Sequence, residues 1–445
     1  MPRKCDVLIV GAGTTGIYFG WLMAKRGHAV LIIEKDAPEQ VGQRLEVIHF
    51  HKKTMEELNI PTPIEPPEFM FPYKGVIVSR LPLFLQRMYE VVESDGVQFE
   101  FTCEFKELLF EKKKIVGAKV EKDNEEFEIL ARLVVDASGI ACAVRSTLPE
   151  DYGMETWKYD SHNRFFVILH YIKWSNPDDP HPQWGDVVPY YYLFFDPGYT
   201  RDEAIMGIAG PESFEKAAAL VEELLEREKY PPYELKKKEF GYFPYSRVPY
   251  TLVGNGFFCV GDSASVTHPV MARGIAETWR LCKNVEEVFD AALKQGEYIT
   301  KEMLWEANVR HFRNEGAERA YLYMISSAIY SISEKELNYL LEKLRPIVDP
   351  PEEAEDAGED VNLSLGTMFK IVLKVLWGVL SRKVSVKGLS KFIKVNGKAK
   401  KIKKHYKKYP EHPEDFEEWV QKANELWEKR EHATREFKST TATYP

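Results

Sequence analysis

Cys5-Asp-Val-Leu-Ile-Val10-Gly11-Ala-Gly13-Thr14-Thr15-Gly16 is an apolar run ending in three spaced glycines, and its reading decides the fold. The helical pattern Ile17–Arg26 follows, and a second apolar run, Ala29–Ile33, stops at Glu34. This alternation is that of a βαβ unit. Gly11 permits the tight turn, Gly13 lets backbone approach a pyrophosphate, and Gly16 lets helix and strand pack closely. Thr14 and Thr15 fall in the first helical turn, whose unpaired N–H groups and positive dipole suit phosphate. Glu34 lies 21 residues after Gly13, near the spacing of about 20 at which an acid accepts hydrogen bonds from ribose hydroxyls. Lys35 beside it joins the candidate contacts. A glycine-rich turn without a ligand is the alternative for the glycines alone; strand, helix and acid in register argue for a dinucleotide.

A chain of 445 residues can bury a full core and is expected to form about two or three domains. Its net charge of −9 is unevenly spread: Lys370–Lys408 holds fourteen Lys+Arg and no Asp or Glu, which leaves −23 on the remainder. The five cysteines, Cys5, Cys103, Cys142, Cys259 and Cys282, form no C-x-x-C pair and meet no histidine at zinc-ligand spacing. That argues against a structural metal or a disulfide framework and for a reducing compartment. Neither a signal peptide nor a membrane-spanning run is visible, so the expectation is a soluble, cytoplasmic protein.

Beyond the first unit, Gly96–Phe110, Ile115–Glu121 and Phe127–Val135 are β-rich, and Phe165–Trp174 and Tyr190–Phe195 suit a second, largely antiparallel sheet. Ser213–Lys229 has a helical period, with Phe214, Ala217, Ala218, Val221, Leu224 and Leu225 on one face. After the strand Phe257–Val260 nearly everything reads as helix, broken at the acidic stretch Asp349–Asp360.

Two later segments extend the cofactor reading. Leu133-Val-Val-Asp136-Ala-Ser-Gly139, with Arg145 beyond it, and Phe257-Phe-Cys-Val-Gly261-Asp262 are strands ending in an acid beside a small residue. Each end suits close backbone approach and a hydroxylated chain, although either alone is also an ordinary strand-to-turn junction. Together, in this order, the three segments resemble the para-hydroxybenzoate hydroxylase-like flavoproteins, and among them the geranylgeranyl reductase family, over about 290 residues from the N-terminus.

The resemblance implies FAD as cofactor and an α/β fold: a Rossmann-like FAD-binding domain (1–60, 76–155 and 250–292), a mixed or antiparallel substrate-binding sheet (61–75 and 156–249), a helical region (293–348), an acidic linker (349–362) and a basic helical C-terminal region (363–445). The glycines and Glu34 match the adenosine diphosphate site. Asp136, Gly139 and Arg145 match an Asp-Gly segment, spelled here Asp136-Ala-Ser-Gly139. Gly261 and Asp262 match a Gly-Asp segment whose acid holds the ribityl hydroxyls. Arg44 and Arg80 fall where relatives place residues near the cofactor. Pro269-Val-Met-Ala272-Arg273-Gly274-Ile275 keeps the proline, last glycine and isoleucine of the loop whose following helix points at the flavin ring, with Ala272 and Arg273 as departures. Phe240-Gly-Tyr242-Phe243-Pro244 is similar to the aromatic motif lining the prenyl pocket, with Tyr242 for the usual tryptophan and a spacing one residue shorter. Val41 stands directly before Gly42, and no cysteine lies between Cys5 and Cys103, where several archaeal reductases carry a Cys-Gly pair.

The resemblance further implies hydride transfer from reduced FAD to a C=C bond of a hydrophobic isoprenoid or lipid, with a flavin-dependent monooxygenase or halogenase and a non-catalytic electron carrier as the alternatives. No second G-x-G-x-x-G is present, so electrons are expected from NAD(P)H docked at the flavin or from a small redox protein. His268, beside the expected flavin edge, is the candidate proton donor. Met368–Leu380 carries an apolar arc with Lys370 and Lys374 opposite; it either packs on the core or lies at an anionic membrane surface. Nucleic acid is not an expected partner, because the rest of the chain is acidic and carries no recognised module.

Overall fold

The computed structural model describes residues 3–42, 47–61, 70–73, 76–160, 163–179, 187–188, 193–198, 200, 202–209, 213–228, 230–269, 274–329, 333, 336, 339, 374 and 377–428. Arg44, Ala272, Arg273, the 349–362 segment and most of 368–380 lie outside them.

The opening stretch folds as β1 (Arg3–Val10), α1 (Thr14–Lys25) and β2 (Val30–Glu34). Val7–Val10 and Val30–Ile33 are buried, the unbroken apolar pattern of strands covered on both faces. A small antiparallel sheet follows, made by β3 (Val47–His51), β4 (Met70–Tyr73) and β5 (Val76–Arg80) in the order β3-β5-β4, with the short helix α2 (Lys52–Glu57) between β3 and β4. Helix α3 (Leu81–Ser94) buries Phe84, Leu85, Met88 and Val92 along one stripe. It leads to β6 (Val97–Phe101), β7 (Cys103–Glu111), β8 (Lys114–Lys122) and β9 (Glu125–Asp136).

The second sheet comprises β10 (Arg164–Trp174), β11 (Val187–Val188), β12 (Leu193–Pro197), β13 (Glu203–Ala209) and β14 (Tyr233–Pro244), in the order β11-β12-β13-β10-β14, with α4 (Phe214–Glu228) inserted before β14. Strand alternation splits its residues between two covers. Ile168, Ile172, Trp174, Ala204 and Met206 meet Ala217 and Val221 of α4, the apolar face legible in the sequence. Leu169, Tyr171 and Ile205 meet Val47 and Val78 of the small sheet. That small sheet bridges the two halves, because Ile48, Phe50 and Ile77 belong to the main core.

The chain then returns to the first sheet through β15 (Val253–Gly254) and β16 (Phe257–Cys259). The first sheet runs β15-β16-β9-β1-β2-β6, and its central strands are parallel. Val10 is level with Ile33 and Asp136, and Cys259 is level with Asp136. The carboxyl ends of β1, β2, β9 and β16 therefore share one edge, where open parallel sheets bind ligands.

Helices α5 (Ile275–Gln295), α6 (Lys301–Arg313), α7 (Glu315–Ile329), α8 (Val386–Tyr406) and α9 (Phe416–Trp427) complete the described fold. The basic C-terminal region is not a detached tail. Val395, Ala399, Ile402 and Tyr406 of α8 join the core that holds β1 and α5. Trp305 Nε1 donates to Pro410 O (3.0 Å), and Tyr409 Oη to Tyr250 O (2.8 Å). Among the described residues no helix is long and apolar enough to cross a membrane.

Candidate cofactor and active site

The glycine turn is held from three directions. Gly11 N donates to Ile33 O (2.9 Å), Glu34 Oε2 accepts from Ala12 N (2.9 Å), and Tyr89 Oη donates to Ala12 O (2.9 Å). Trp279 Nε1, from α5, donates to Thr14 O (3.0 Å). The first intrahelical bond runs from Ile17 N to Gly13 O (3.1 Å), so the N–H groups of Thr14, Thr15 and Gly16 precede the α1 ladder and are available to an anion. A Cβ added at Gly16 would lie 2.0 Å from Gly11 O, and one at Gly11, where φ is +110°, would lie 2.4 Å from Ala137 O. A Cβ at Gly13 would meet nothing within 4 Å. Two glycines thus close the turn and the third leaves a cradle beside a helix N-terminus, which fits the pyrophosphate of FAD. Glu34 also accepts from Asp36 N (3.2 Å) and keeps lone pairs for a ribose. Lys35 turns away to Asp36 Oδ2 (2.6 Å) and is exposed. Tyr89 and Trp279 carry no sequence signal; both reach the loop from helices distant along the chain.

Asp136 corrects the sequence reading. It is fully buried, and its carboxylate accepts from Ser138 N (3.0 Å), Ser138 Oγ (2.6 Å), Val144 N (3.2 Å) and Arg145 N (2.6 Å). Both oxygens are spent on the Asp136–Arg145 loop instead of a cofactor hydroxyl; the acid shapes the loop on which Gly139 sits. A Cβ at Gly139 would be unobstructed, at a φ of +67°. Arg145 is equally structural. Its guanidinium is fully buried and donates to Ser263 O (2.8 Å), Glu155 O (2.7 Å), Cys142 Sγ (2.9 Å) and Trp157 O (3.1 Å), with the Trp157 ring 4.3 Å away. It ties the Asp136 loop to the turn carrying Gly261 and Asp262, a tie that Ser263 Oγ doubles by donating to Asp136 O (2.7 Å).

On that turn, Gly261 (φ +75°) lies against α1: a Cβ there would stand 2.9 Å from Thr15 Oγ1. Thr267 Oγ1 donates to Asp262 Oδ1 (2.5 Å), and Tyr159 Oη to Asp262 O (2.6 Å). Burial holds the Asp262 carboxyl above its ordinary range, against the lowering effect of the Thr267 hydroxyl. A Cβ at Gly274 would lie 2.8 Å from Thr267 Oγ1 and 3.5 Å from Asp262 Oδ1, so the acid sits at the start of α5, whose first helical residue is Ile275. His268 is half-buried and Pro269 buried directly after Thr267. Pro269, Thr267 and Ser265 line a small cleft with Arg319, Tyr323 and Tyr406. Arg80 is exposed at the end of β5, directly before α3 and across from Val47.

The aromatic segment does not act as one wall. Phe240 and Tyr242 pair with Ile168 and Phe166 and pack on Phe214 of α4 (5.7 and 6.5 Å between ring centroids). Phe243 takes the other face, against Phe165 (5.1 Å), which packs at a tilt on Tyr245 (4.4 Å) and through it approaches Tyr323. Period-2 alternation along β14 separates them. Only the Phe243 side is continuous with the cleft at Pro269.

Behind α5, His311 is buried with neither ring nitrogen hydrogen-bonded among the described residues, beside the buried Arg319, which donates to Glu277 Oε2 (2.8 Å). Burial first, and the Arg319 charge second, push the His311 pKa from 6.5 down to about 3. Below 6.5 the unfolded chain binds a proton that the folded one refuses, so stability is lost as pH falls from 6.5 towards 3, by about 2 kcal/mol at pH 5. Urea unfolding at pH 7 and pH 5 should show His311→Phe losing about 2 kcal/mol less than the parent over that interval; identical losses would refute the neutral buried histidine.

The FAD binding domain family model matches residues 4–60, which span β1, α1, β2 and β3. A digeranylgeranylglycerophospholipid reductase of Sulfolobus acidocaldarius is 23% identical over 406 residues, covering 84% of this chain and 88% of that protein. On a 445-residue chain that coverage passes residue 350 wherever it begins, farther than the motifs alone extend. Among solved structures, a geranylgeranyl bacteriochlorophyll reductase-like protein of Thermoplasma acidophilum superposes with a TM-score of 0.67 at 15% identity, covering 84% of this chain and 96% of that one. A flavin-dependent brominase shares the fold at a TM-score of 0.59 and 16% identity, covering 84% and 99%. With a cradle that fits FAD at the carboxyl edge of its sheet and these likenesses along most of its length, the chain is an FAD-dependent oxidoreductase similar to the geranylgeranyl reductases.

Proposed function

We propose that the protein reduces C=C bonds in the isoprenoid chains of a lipid. The observation that carries this reading is the match to a digeranylgeranylglycerophospholipid reductase over 84% of this chain and 88% of the relative, well beyond the cofactor-binding segment. FAD supplies the electrons as a hydride, and they enter from NAD(P)H or a small redox protein. The N–H groups at the start of α1 and the open approach at Gly13 hold the pyrophosphate, Glu34 the ribose, and Asp262 the ribityl hydroxyls. Arg44 and Arg80 serve the pyrophosphate side, and Pro269, Gly274 and Ile275 border the ring. Phe243, continuous with Phe165 and Tyr245, lines the apolar approach. His268 delivers the proton that must reach the second alkene carbon after hydride addition to the first.

The test is anaerobic. Dithionite-reduced holoenzyme should recover its 450 nm absorbance on adding a digeranylgeranyl lipid, with loss of double bonds by mass spectrometry, and His268→Gln should slow that recovery about 100-fold while retaining FAD. The brominase likeness makes oxygen activation the second reading. Inert lipid, together with air-dependent hydroxylation or halogenation of an aromatic acceptor, would replace the first reading with the second.

A further inference from the structure

Among the described residues the four most exposed large hydrophobic side chains share one place. Of the large hydrophobic side chains left exposed, Trp377 (67%), Leu380 (77%), Val386 (71%) and Ile393 (61%) occupy a single helix–turn–helix tip. Hydrogen bonds shape the tip. Ser381 N donates to Trp377 O (2.9 Å) and Lys383 N to Gly378 O (2.8 Å), ending the helical turn of residues 377–380 at Arg382, whose φ is +58°. Val384 folds inward, Ser385 Oγ accepts from Gly388 N (2.9 Å) to cap α8, and Ser385 N is held by Glu336 Oε1 (2.6 Å). These exposed side chains therefore have a fixed platform.

At about 100° per residue, Val386 and Ile393 are about 20° apart on α8, and the buried stripe Val395, Ala399, Ile402 and Tyr406 lies on the opposite side. The outward face is apolar in its first half. In its second half it carries Lys400, Lys401 and Lys404, which make no ion pair among the described residues. Lys403, turned inward, is the lysine that pairs with Glu318. The whole of 370–408 contains no acid. A tryptophan and three aliphatic side chains at a tip, backed by lysines alone, are complementary to an apolar layer beneath a negatively charged surface. The inner side of the same helix reaches the cofactor loop, because Tyr406 lines the cleft with Thr267 and Pro269.

We propose that this tip and the outer face of α8 dock the protein on an anionic lipid bilayer, Trp377, Leu380, Val386 and Ile393 entering the headgroup–acyl boundary and Lys400, Lys401 and Lys404 meeting lipid phosphates. This rests on the reading of the substrate as a lipid and names the surface from which that lipid is drawn. FAD-loaded full-length protein is to be sedimented with phosphatidylcholine vesicles with and without phosphatidylglycerol, in the absence of any isoprenoid substrate, so that failure here is separable from failure to reduce a lipid. Binding to the phosphatidylglycerol vesicles should exceed binding to phosphatidylcholine about tenfold and weaken with salt. Combined Trp377→Ser, Leu380→Ser, Val386→Ser and Ile393→Ser substitutions should lower it about tenfold with FAD content and melting temperature retained. Lys400→Glu, Lys401→Glu and Lys404→Glu together should abolish the salt dependence. Parent protein left in the supernatant, or variants that bind as the parent does, would overturn the proposal. So would a dimer in light scattering that the apolar substitutions convert to monomer, since the face would then belong to a second copy.

Discussion

Replacing Gly13 with valine should leave the apoprotein as stable as the parent and weaken FAD binding by about 100-fold, or about 2.7 kcal/mol. A Cβ at Gly13 would meet no heavy atom within 4 Å, and its φ of −77° is one that any residue adopts. The fold asks nothing of this glycine. What a valine would occupy is the approach to the N–H groups of Thr14, Thr15 and Gly16. Gly16→Ala is the contrasting variant. Its Cβ would lie 2.0 Å from Gly11 O, a backbone atom that cannot yield, and about 3 kcal/mol of stability should go with it. Thermal melts of the apoproteins and FAD titration separate the two effects. A Gly13→Val protein that melts well below the parent, or that keeps its flavin through gel filtration, would contradict the division of labour drawn for this turn.

The second large effect is expected at Arg145, whose guanidinium is fully buried among protein groups. Arg145→Met should cost about 3–5 kcal/mol of unfolding free energy, because the carbonyls of Ser263, Glu155 and Trp157 lose the buried donor they share. The loss should also weaken FAD binding, since Ser263 follows Asp262 directly and the guanidinium keeps that turn against the Asp136 loop. Lysine should rescue little: one ammonium cannot span acceptors set around a planar guanidinium. Urea unfolding of the apoprotein reads the first effect and flavin titration the second. A destabilisation under about 1 kcal/mol would show that the two loops hold each other without the arginine.

The cofactor half of the fold is legible because its signals are local. A strand of apolar residues, a turn that only glycine tolerates at Gly11, and a helix beginning within three residues of it depend on neighbours a few positions apart. The α4 stripe was readable for the same reason, and Phe214, Ala217, Ala218, Val221 and Leu225 pack as their spacing implies. The roles of Asp136 and Phe240 were not. An acid at a strand end looks the same whether it faces a polyol or its own loop, and the four donors around Asp136 come from a turn whose path no spacing specifies. Phe240, Tyr242 and Phe243 are adjacent in the chain and parted by the strand that carries them.

By itself, then, the sequence determined a βαβ dinucleotide turn closed by Gly11 and Gly16 and answered by Glu34, a second antiparallel sheet, and a basic segment free of acids, since composition and short-range periodicity are enough for each. The tertiary structure alone decided which groups surround that turn and where the basic segment lies. Tyr89 and Trp279 reach the glycine loop across 77 and 265 positions, and α8 lies in the main core with Trp377, Leu380, Val386 and Ile393 facing outward. Contacts between residues so far apart follow from how whole elements pack, a property of the assembled core that no local window contains.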